Sequence, residues 1–151
     1  MPPDNTLPSS IDHPLGTTAS QIAVINKPID LVCGTTLPSH SLVFEAYGIL
    51  NKARNNAVLI CHALSGNHHV AGVDKDGKVG WWDHYIGPDK AIDTNKFFVI
   101  CPNNIGSCFG STGPTATDPE TEKPYGNNFP SIQVRDWVES QKYLMDHLEI
   151  D

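Results

Sequence analysis

Long hydrophobic runs and amino-terminal positive charges are both scarce in this sequence. The longest purely apolar runs are residues 57–61 and 97–101, whereas a membrane-spanning helix needs about 18 such residues. Residues 1–26 contain four prolines and no Lys or Arg, which argues against a secretory signal. The sequence therefore predicts no membrane segment and favours a cytoplasmic protein.

Positive charge is also scarce over the whole chain. Lys and Arg number 10 against 17 Asp and Glu, which gives a formal net charge of −7. A nucleic-acid binder needs a basic surface to neutralise phosphates, so that class is not expected. The 151 residues, 39% of them hydrophobic, suit about one domain with its own core.

Cysteines are few, and none forms a C-x-x-C pair. Cys33, Cys61 and Cys101 each end a strand-like run, while Cys108 lies in a glycine-rich loop. A zinc knuckle or redox dithiol is therefore not expected. A disulfide between Cys101 and Cys108 stays open, although reduced thiols suit the expected compartment better.

What is present predicts an α/β protein. Residues 1–27 are polar and proline-rich, which indicates a flexible lead or an edge extension before the main domain, residues 28–151. Residues 29–33 and 42–50 suit an antiparallel entry hairpin. The runs 57–61 and 97–101 suit neighbouring central parallel strands that are buried on both faces.

One amphipathic helix is predicted over residues 133–148 and is expected to pack on the sheet. Val134, Val138, Gln141, Met145 and Leu148 recur at helical spacing, and Trp137 and Leu144 widen this stripe. Such a helix should lead into another central strand. Because the chain ends directly after it, the sequence predicts an incomplete sheet.

The loop at residues 62–72 follows an apolar strand, where ligands bind in open α/β sheets. It could turn a backbone N–H toward an oxyanion. The alternative is a tight turn in which Gly66 and Gly72 supply positive φ. Four histidines and an aspartate are the only metal-ligand candidates, but they lack the H-E-x-x-H pattern, so no metal is expected. These five residues are His62, His68, His69, Asp83 and His84.

A second loop, residues 103–114, follows the run 97–101. Its glycines lack the spacing and the lysine of a phosphate-binding loop, so a structured turn is favoured over nucleotide binding. The pair Trp81 and Trp82 is interpreted as core packing rather than as a lid or ligand wall. No G-x-S-x-G motif occurs, so no serine has the context of a nucleophile elbow.

Ordered motifs from about Leu42 to the chain end resemble the amino-terminal part of the homoserine O-acetyltransferase family, which includes homoserine O-succinyltransferases. The motifs are Tyr47-Gly48-Ile49-Leu50-Asn51, Cys61-His62-Ala63-Leu64-Ser65-Gly66, Gly80-Trp81-Trp82-Asp83, Ile86-Gly87-Pro88, Asp93-Thr94, Asn104-Ile105-Gly106, Gly110-Ser111-Thr112-Gly113-Pro114, Tyr125-Gly126, Phe129-Pro130 and Val134-Arg135-Asp136-Trp137.

The resemblance implies an α/β-hydrolase fold, with a mostly parallel sheet after the antiparallel entry hairpin. It also implies an acyl-serine, ping-pong transfer from acyl-CoA to homoserine in methionine biosynthesis. The backbone N–H of Leu64 would contribute to the oxyanion hole. The partners would be acyl-CoA, L-homoserine and a second copy in a homodimer, with no bound cofactor. The Ser65–His69 segment favours succinyl-CoA over acetyl-CoA as the acyl donor.

The resemblance places the nucleophilic serine, the aspartate and the histidine of the triad beyond Asp151. None of the catalytic residues is therefore expected within these 151 residues. The chain is interpreted as a fragment that is inactive alone. The alternative is a catalytically silent binding module built on the same half-sheet.

Overall fold

The computed structural model describes residues 13–150, and predictions that fall on residues 1–12 and 151 lie outside this part. It contains ten short strands, one short 3₁₀ turn (Gly126–Asn128) and one α-helix. In chain order they are β1 (Gln21–Ile25), β2 (Ile29–Asp30), β3 (Thr36–Leu37), β4 (His40–Tyr47), β5 (Ala57–Leu59), β6 (Ile86–Gly87), β7 (Ile92–Asp93), β8 (Phe98–Pro102), β9 (Thr117–Asp118), β10 (Lys123–Pro124) and α1 (Val134–His147).

The main sheet has the strand order β1-β4-β8-β5. β4 pairs antiparallel with both β1 and β8, whereas β5 and β8 are parallel. The predicted α/β architecture and the parallel pairing of the two apolar runs are confirmed. Within residues 13–150 this sheet is mixed, with one parallel pairing among three.

The predicted entry hairpin has the wrong first strand. β4 pairs instead with β1, which precedes the predicted first strand in the sequence. Ile29 and Asp30 instead pair with Thr36 and Leu37 in a separate hairpin. A turn that begins at Leu31 closes this hairpin, with Gly34 N–H bonded to Leu31 O at 2.9 Å. The residues that were expected to pair with β4 therefore form a hairpin with their own neighbours in the sequence.

Two apolar clusters occupy opposite faces of the sheet, because successive side chains of a strand alternate. Leu42, Phe44 and Ile100 pack with Leu144 of α1 on one face. Tyr47, Val99 and Cys101 pack on the other face against the chain that follows β5. Cys101 is buried, and burial raises its pKa to about 12. All four cysteines are free thiols, so Cys101 and Cys108 form no disulfide.

The helix is in the predicted place, but its buried face differs from the predicted stripe. Leu144, Ser140 and Asp136 are fully buried, whereas Val134 and Val138 are 66% and 58% exposed. β5 is also less buried than predicted, since Leu59 is 39% exposed. These three apolar side chains are exposed to solvent in the part of the chain that the structure describes. No helix among residues 13–150 has the length and hydrophobicity to cross a bilayer.

Candidate active site

Two loops leave the main sheet at the same end of its strands. They do so because β5 and β8 are parallel and each loop follows one of them. The first loop carries His62, Ala63 and Leu64, and the second begins at Asn103. A hydrogen bond joins them, in which the Asn104 N–H donates to Nε2 of His62 at 3.3 Å. The loops therefore form one structure at the carboxyl ends of the strands, where open α/β sheets bind ligands.

A cavity of about 280 Å³ lies between these loops and the start of α1. Leu64, which is 83% exposed, lies on its wall. The other wall residues include His62, Asn104, Ser107, Phe129 and Trp137. The Trp137 indole N–H donates to Ile105 O at 3.0 Å and thereby ties α1 to this site.

The turn after β5 is organised around the Ala63 carbonyl. It accepts the Gly66 N–H at 2.8 Å, and Nδ1 of His62 lies 2.7 Å away. Of the two glycines expected to supply positive φ, Gly72 does so at 74° and Gly66 does not. The turn is tight at Gly66, since a Cβ there would lie 3.1 Å from Cβ of His62 and the neighbouring atoms would have to shift slightly.

The second loop is a structured turn, as predicted, and it is fixed to β4. Nδ2 of Asn103 donates to Oγ of Ser107 at 2.6 Å. Oγ of Ser111 donates to Asn103 O at 2.7 Å and accepts the Val43 N–H at 2.9 Å. The serine and asparagine side chains of this loop are therefore used to hold its backbone.

The predicted metal-ligand candidates do not converge. Within the described part of the chain, no three His, Cys, Asp or Glu side chains are close enough to share a metal ion. Asp83 instead pairs with Lys90 at 3.0 Å and with His13 at 3.1 Å, and His84 is exposed. The remaining three histidines have separate hydrogen-bond partners.

Sequence reasoning missed a buried polar network behind the first loop. Oε2 of Glu45 accepts the Tyr47 hydroxyl at 2.5 Å and lies 3.0 Å from Nδ1 of His69. Nε2 of His69 lies 2.9 Å from Lys78 O. Both ring nitrogens of His69 therefore face oxygen atoms, and a protonated imidazolium would donate a hydrogen bond to each of them.

Opposing effects set the charges in this network. Burial alone would raise the pKa of Glu45, but the hydrogen bonds from His69 and Tyr47 outweigh it and hold the pKa below its usual value. The hydrogen bond to Glu45 raises the pKa of His69. Burial lowers the pKa of His68, whose Nε2 lies 2.8 Å from Oγ of Ser20. The only sequence signal was Glu45, the single charge in an apolar run.

The two neighbouring tryptophans do not enter the core, contrary to the prediction. Trp81 and Trp82 are 42% and 43% exposed, and their rings lie 5.4 Å apart with Tyr85 beyond them. The Trp81 indole N–H donates to Asn67 O at 3.0 Å, so this aromatic group braces the first loop.

A family model described as alpha/beta hydrolase fold matches residues 56–151. The chain belongs to the alpha/beta hydrolase family. It is 56% identical over 141 residues to a homoserine O-succinyltransferase of Psychrobacter arcticus, covering 91% of this chain and 32% of that protein. It is 54% identical over 148 residues to that of Pseudomonas syringae, covering 96% and 39%.

Solved structures of other proteins are similar to this chain in sequence and fold. The homoserine O-acetyltransferase from Bacillus anthracis superposes with a TM-score of 0.80 at 34% identity, over 89% of this chain and 38% of that one. Esterase E22 gives a TM-score of 0.80 at 37% identity over the same shares. The predicted resemblance to homoserine acyltransferases is confirmed. The chain spans about one-third to two-fifths of the length of these relatives.

Proposed function

We propose that the chain is the amino-terminal part of a CoA-dependent homoserine O-acyltransferase. The single observation that carries this proposal is its identity with homoserine O-succinyltransferases, between 51% and 56% over at least nine-tenths of the chain. This identity favours succinyl-CoA over acetyl-CoA as the donor. The enzyme would act in the cytoplasm, as a homodimer, in methionine biosynthesis.

The proposed reaction proceeds in two half-reactions. A serine oxygen attacks the thioester carbonyl of acyl-CoA, and the thioester bond breaks to leave an acyl-serine and free CoA thiol. The homoserine hydroxyl then attacks the acyl-serine and regenerates the serine hydroxyl. The serine, aspartate and histidine of the triad would belong to the remainder of the full-length protein.

The backbone N–H of Leu64 is proposed to stabilise the oxyanion that forms in both steps. Three observations support this role. Leu64 lies in the loop after a parallel strand, it lines the cavity between the two loops, and its N–H has no hydrogen-bond acceptor among residues 13–150. An unpaired donor of this kind can stabilise charge that develops in the transition state.

The test uses the full-length protein with succinyl-CoA or acetyl-CoA, in the presence and absence of L-homoserine. We expect release of CoA thiol that depends on homoserine, faster with succinyl-CoA, and O-succinylhomoserine detected by mass spectrometry. Thiol release at the same rate without homoserine would indicate a hydrolase, the class of esterase E22, and would overturn the proposal.

A further inference from the structure

The Ala63–Leu64 peptide is held from its oxygen side by two donors. The Ala63 carbonyl accepts the Gly66 N–H at 2.8 Å and lies 2.7 Å from Nδ1 of His62. Because a trans peptide is planar, fixing the C=O direction also fixes the opposite direction of the Leu64 N–H. Hydrogen bonds to the carbonyl also polarise the peptide and strengthen its N–H as a donor.

The partners of His62 determine which of its nitrogens carries the proton. Nδ1 faces only a carbonyl oxygen and must donate, whereas Nε2 faces the Asn104 N–H and must accept. Only the neutral ring with hydrogen on Nδ1 satisfies both contacts. His62 is 8% exposed, and its Nε2 lone pair is occupied, which argues against a role as general base.

Asn104 is fixed in turn by the helix. Its Oδ1 accepts Nε2 of Gln141, a buried residue of α1, at 2.8 Å. Gln141 therefore holds the side chain of the residue whose backbone N–H bonds to His62, and His62 in turn contacts the Ala63 carbonyl. These contacts connect the helix to the peptide that carries the Leu64 N–H.

We propose that His62 is a positioning residue, which orients the Leu64 N–H through its Nδ1–H tautomer. The inference rests on the proposed oxyanion role of Leu64. His62 itself need not touch the substrate. It acts on the reaction through the peptide that follows it, and the Asn104 N–H, which faces Nε2, selects the tautomer that allows this.

Three substitutions in the full-length protein separate the two contacts of His62. His62→Asn keeps a donor near the Nδ1 position, His62→Gln keeps an acceptor near the Nε2 position, and His62→Phe keeps only the ring. We expect kcat to fall by about 10²–10³ in the Gln and Phe variants, as for loss of an oxyanion donor. The Asn variant should stay within about tenfold of wild type, and KM for homoserine should change little, because ground-state binding is untouched.

His84→Phe is the matched control, since His84 is exposed, and it should leave kcat unchanged. Thermal unfolding of every variant separates positioning from stability. Equal losses in the Asn and Gln variants, or losses that follow the melting temperature, would overturn the inference.

A second readout does not depend on turnover. Nitrogen-15 NMR of histidine-labelled full-length protein should show hydrogen on Nδ1 of His62, and hydrogen on Nε2 would overturn the inference. If the wild type hydrolyses p-nitrophenyl esters but transfers no acyl group, the proposed function fails. The same variants then still test His62 in ester hydrolysis, because that reaction also forms an oxyanion.

Discussion

The carboxylate of Asp136 accepts the backbone N–H of Val32 at 2.9 Å, although 104 positions separate these residues. Its other oxygen accepts the Gln133 N–H at 2.7 Å and caps the first turn of α1. One buried side chain thus starts the helix and fixes the β2–β3 hairpin against it.

Substitution of Asp136 by Ala should therefore destabilise the full-length protein. Two hydrogen bonds to a charged group would be lost, with an expected cost of about 3 kcal/mol in the free energy of unfolding. Chemical denaturation measures this cost. Asp146→Ala removes an exposed carboxylate from the same helix and should cost nothing; equal losses in both variants would contradict the assigned role of Asp136.

The buried pair of Glu45 and His69 should make stability depend on pH. The raised pKa of His69 means that its contribution is fully present below its ordinary value of 6.5 and is lost as pH rises through the raised pKa. The lowered pKa of Glu45 means that its contribution is present above 4.5 and is lost as pH falls through the lowered pKa. The pair should contribute most between pH 4.5 and 6.5.

Glu45→Gln should flatten this profile and cost about 3–5 kcal/mol near pH 6, as for removal of one partner from a buried ion pair. The melting temperature of the full-length protein measured across pH checks this expectation. Glu120→Gln, at an exposed position, is the control. An unchanged profile in Glu45→Gln would show that the pair is not charged.

Leu64 should act through its backbone and not through its side chain. Leu64→Ala in the full-length protein should therefore keep much of the activity. Leu64→Pro removes the N–H and should lower kcat by about 10²–10³, the cost of one oxyanion donor. Steady-state kinetics should be compared only after both variants are shown to fold, and equal activity in the two would contradict the oxyanion role.

The 151-residue chain alone should form no acyl-enzyme with succinyl-CoA or acetyl-CoA. Within residues 13–150, Ser107 and Ser111 hold the second loop through hydrogen bonds, and no serine of the chain lies in a G-x-S-x-G sequence. Intact-mass spectrometry of the purified chain after incubation checks this expectation. An acyl adduct on serine that forms at a catalytic rate would contradict it.

The family resemblance and much of the local structure could be predicted from the sequence. The pairing of the apolar runs at residues 57–61 and 97–101 follows from hydrophobic composition, and α1 follows from its spacing of apolar residues. The pairing partner of β4 could not be predicted. Residues 29–33 have the pattern of a strand, but the tight turn that follows Ile29 and Asp30 pairs them with Thr36 and Leu37 instead.

Burial on α1 also required the tertiary structure. Asp136, which lies outside the predicted stripe, is buried because the Val32 backbone N–H meets it from a distant segment, and no helical periodicity anticipates such a partner. Trp81 and Trp82 remain half-exposed for a similar reason, since the loop that Trp81 braces lies outside the core.

Composition and periodicity by themselves determined the fold class, and the motifs determined the family, because both are properties of short segments. The hydrogen-bond partners and the burial of each histidine were decided only by the fold. His62, His68 and His69 lie within eight positions of one another, yet Nε2 of His62 accepts the Asn104 N–H, burial lowers the pKa of His68 and the hydrogen bond to Glu45 raises the pKa of His69. These differences arise from partners far away in sequence, which only the folded chain brings within hydrogen-bond distance.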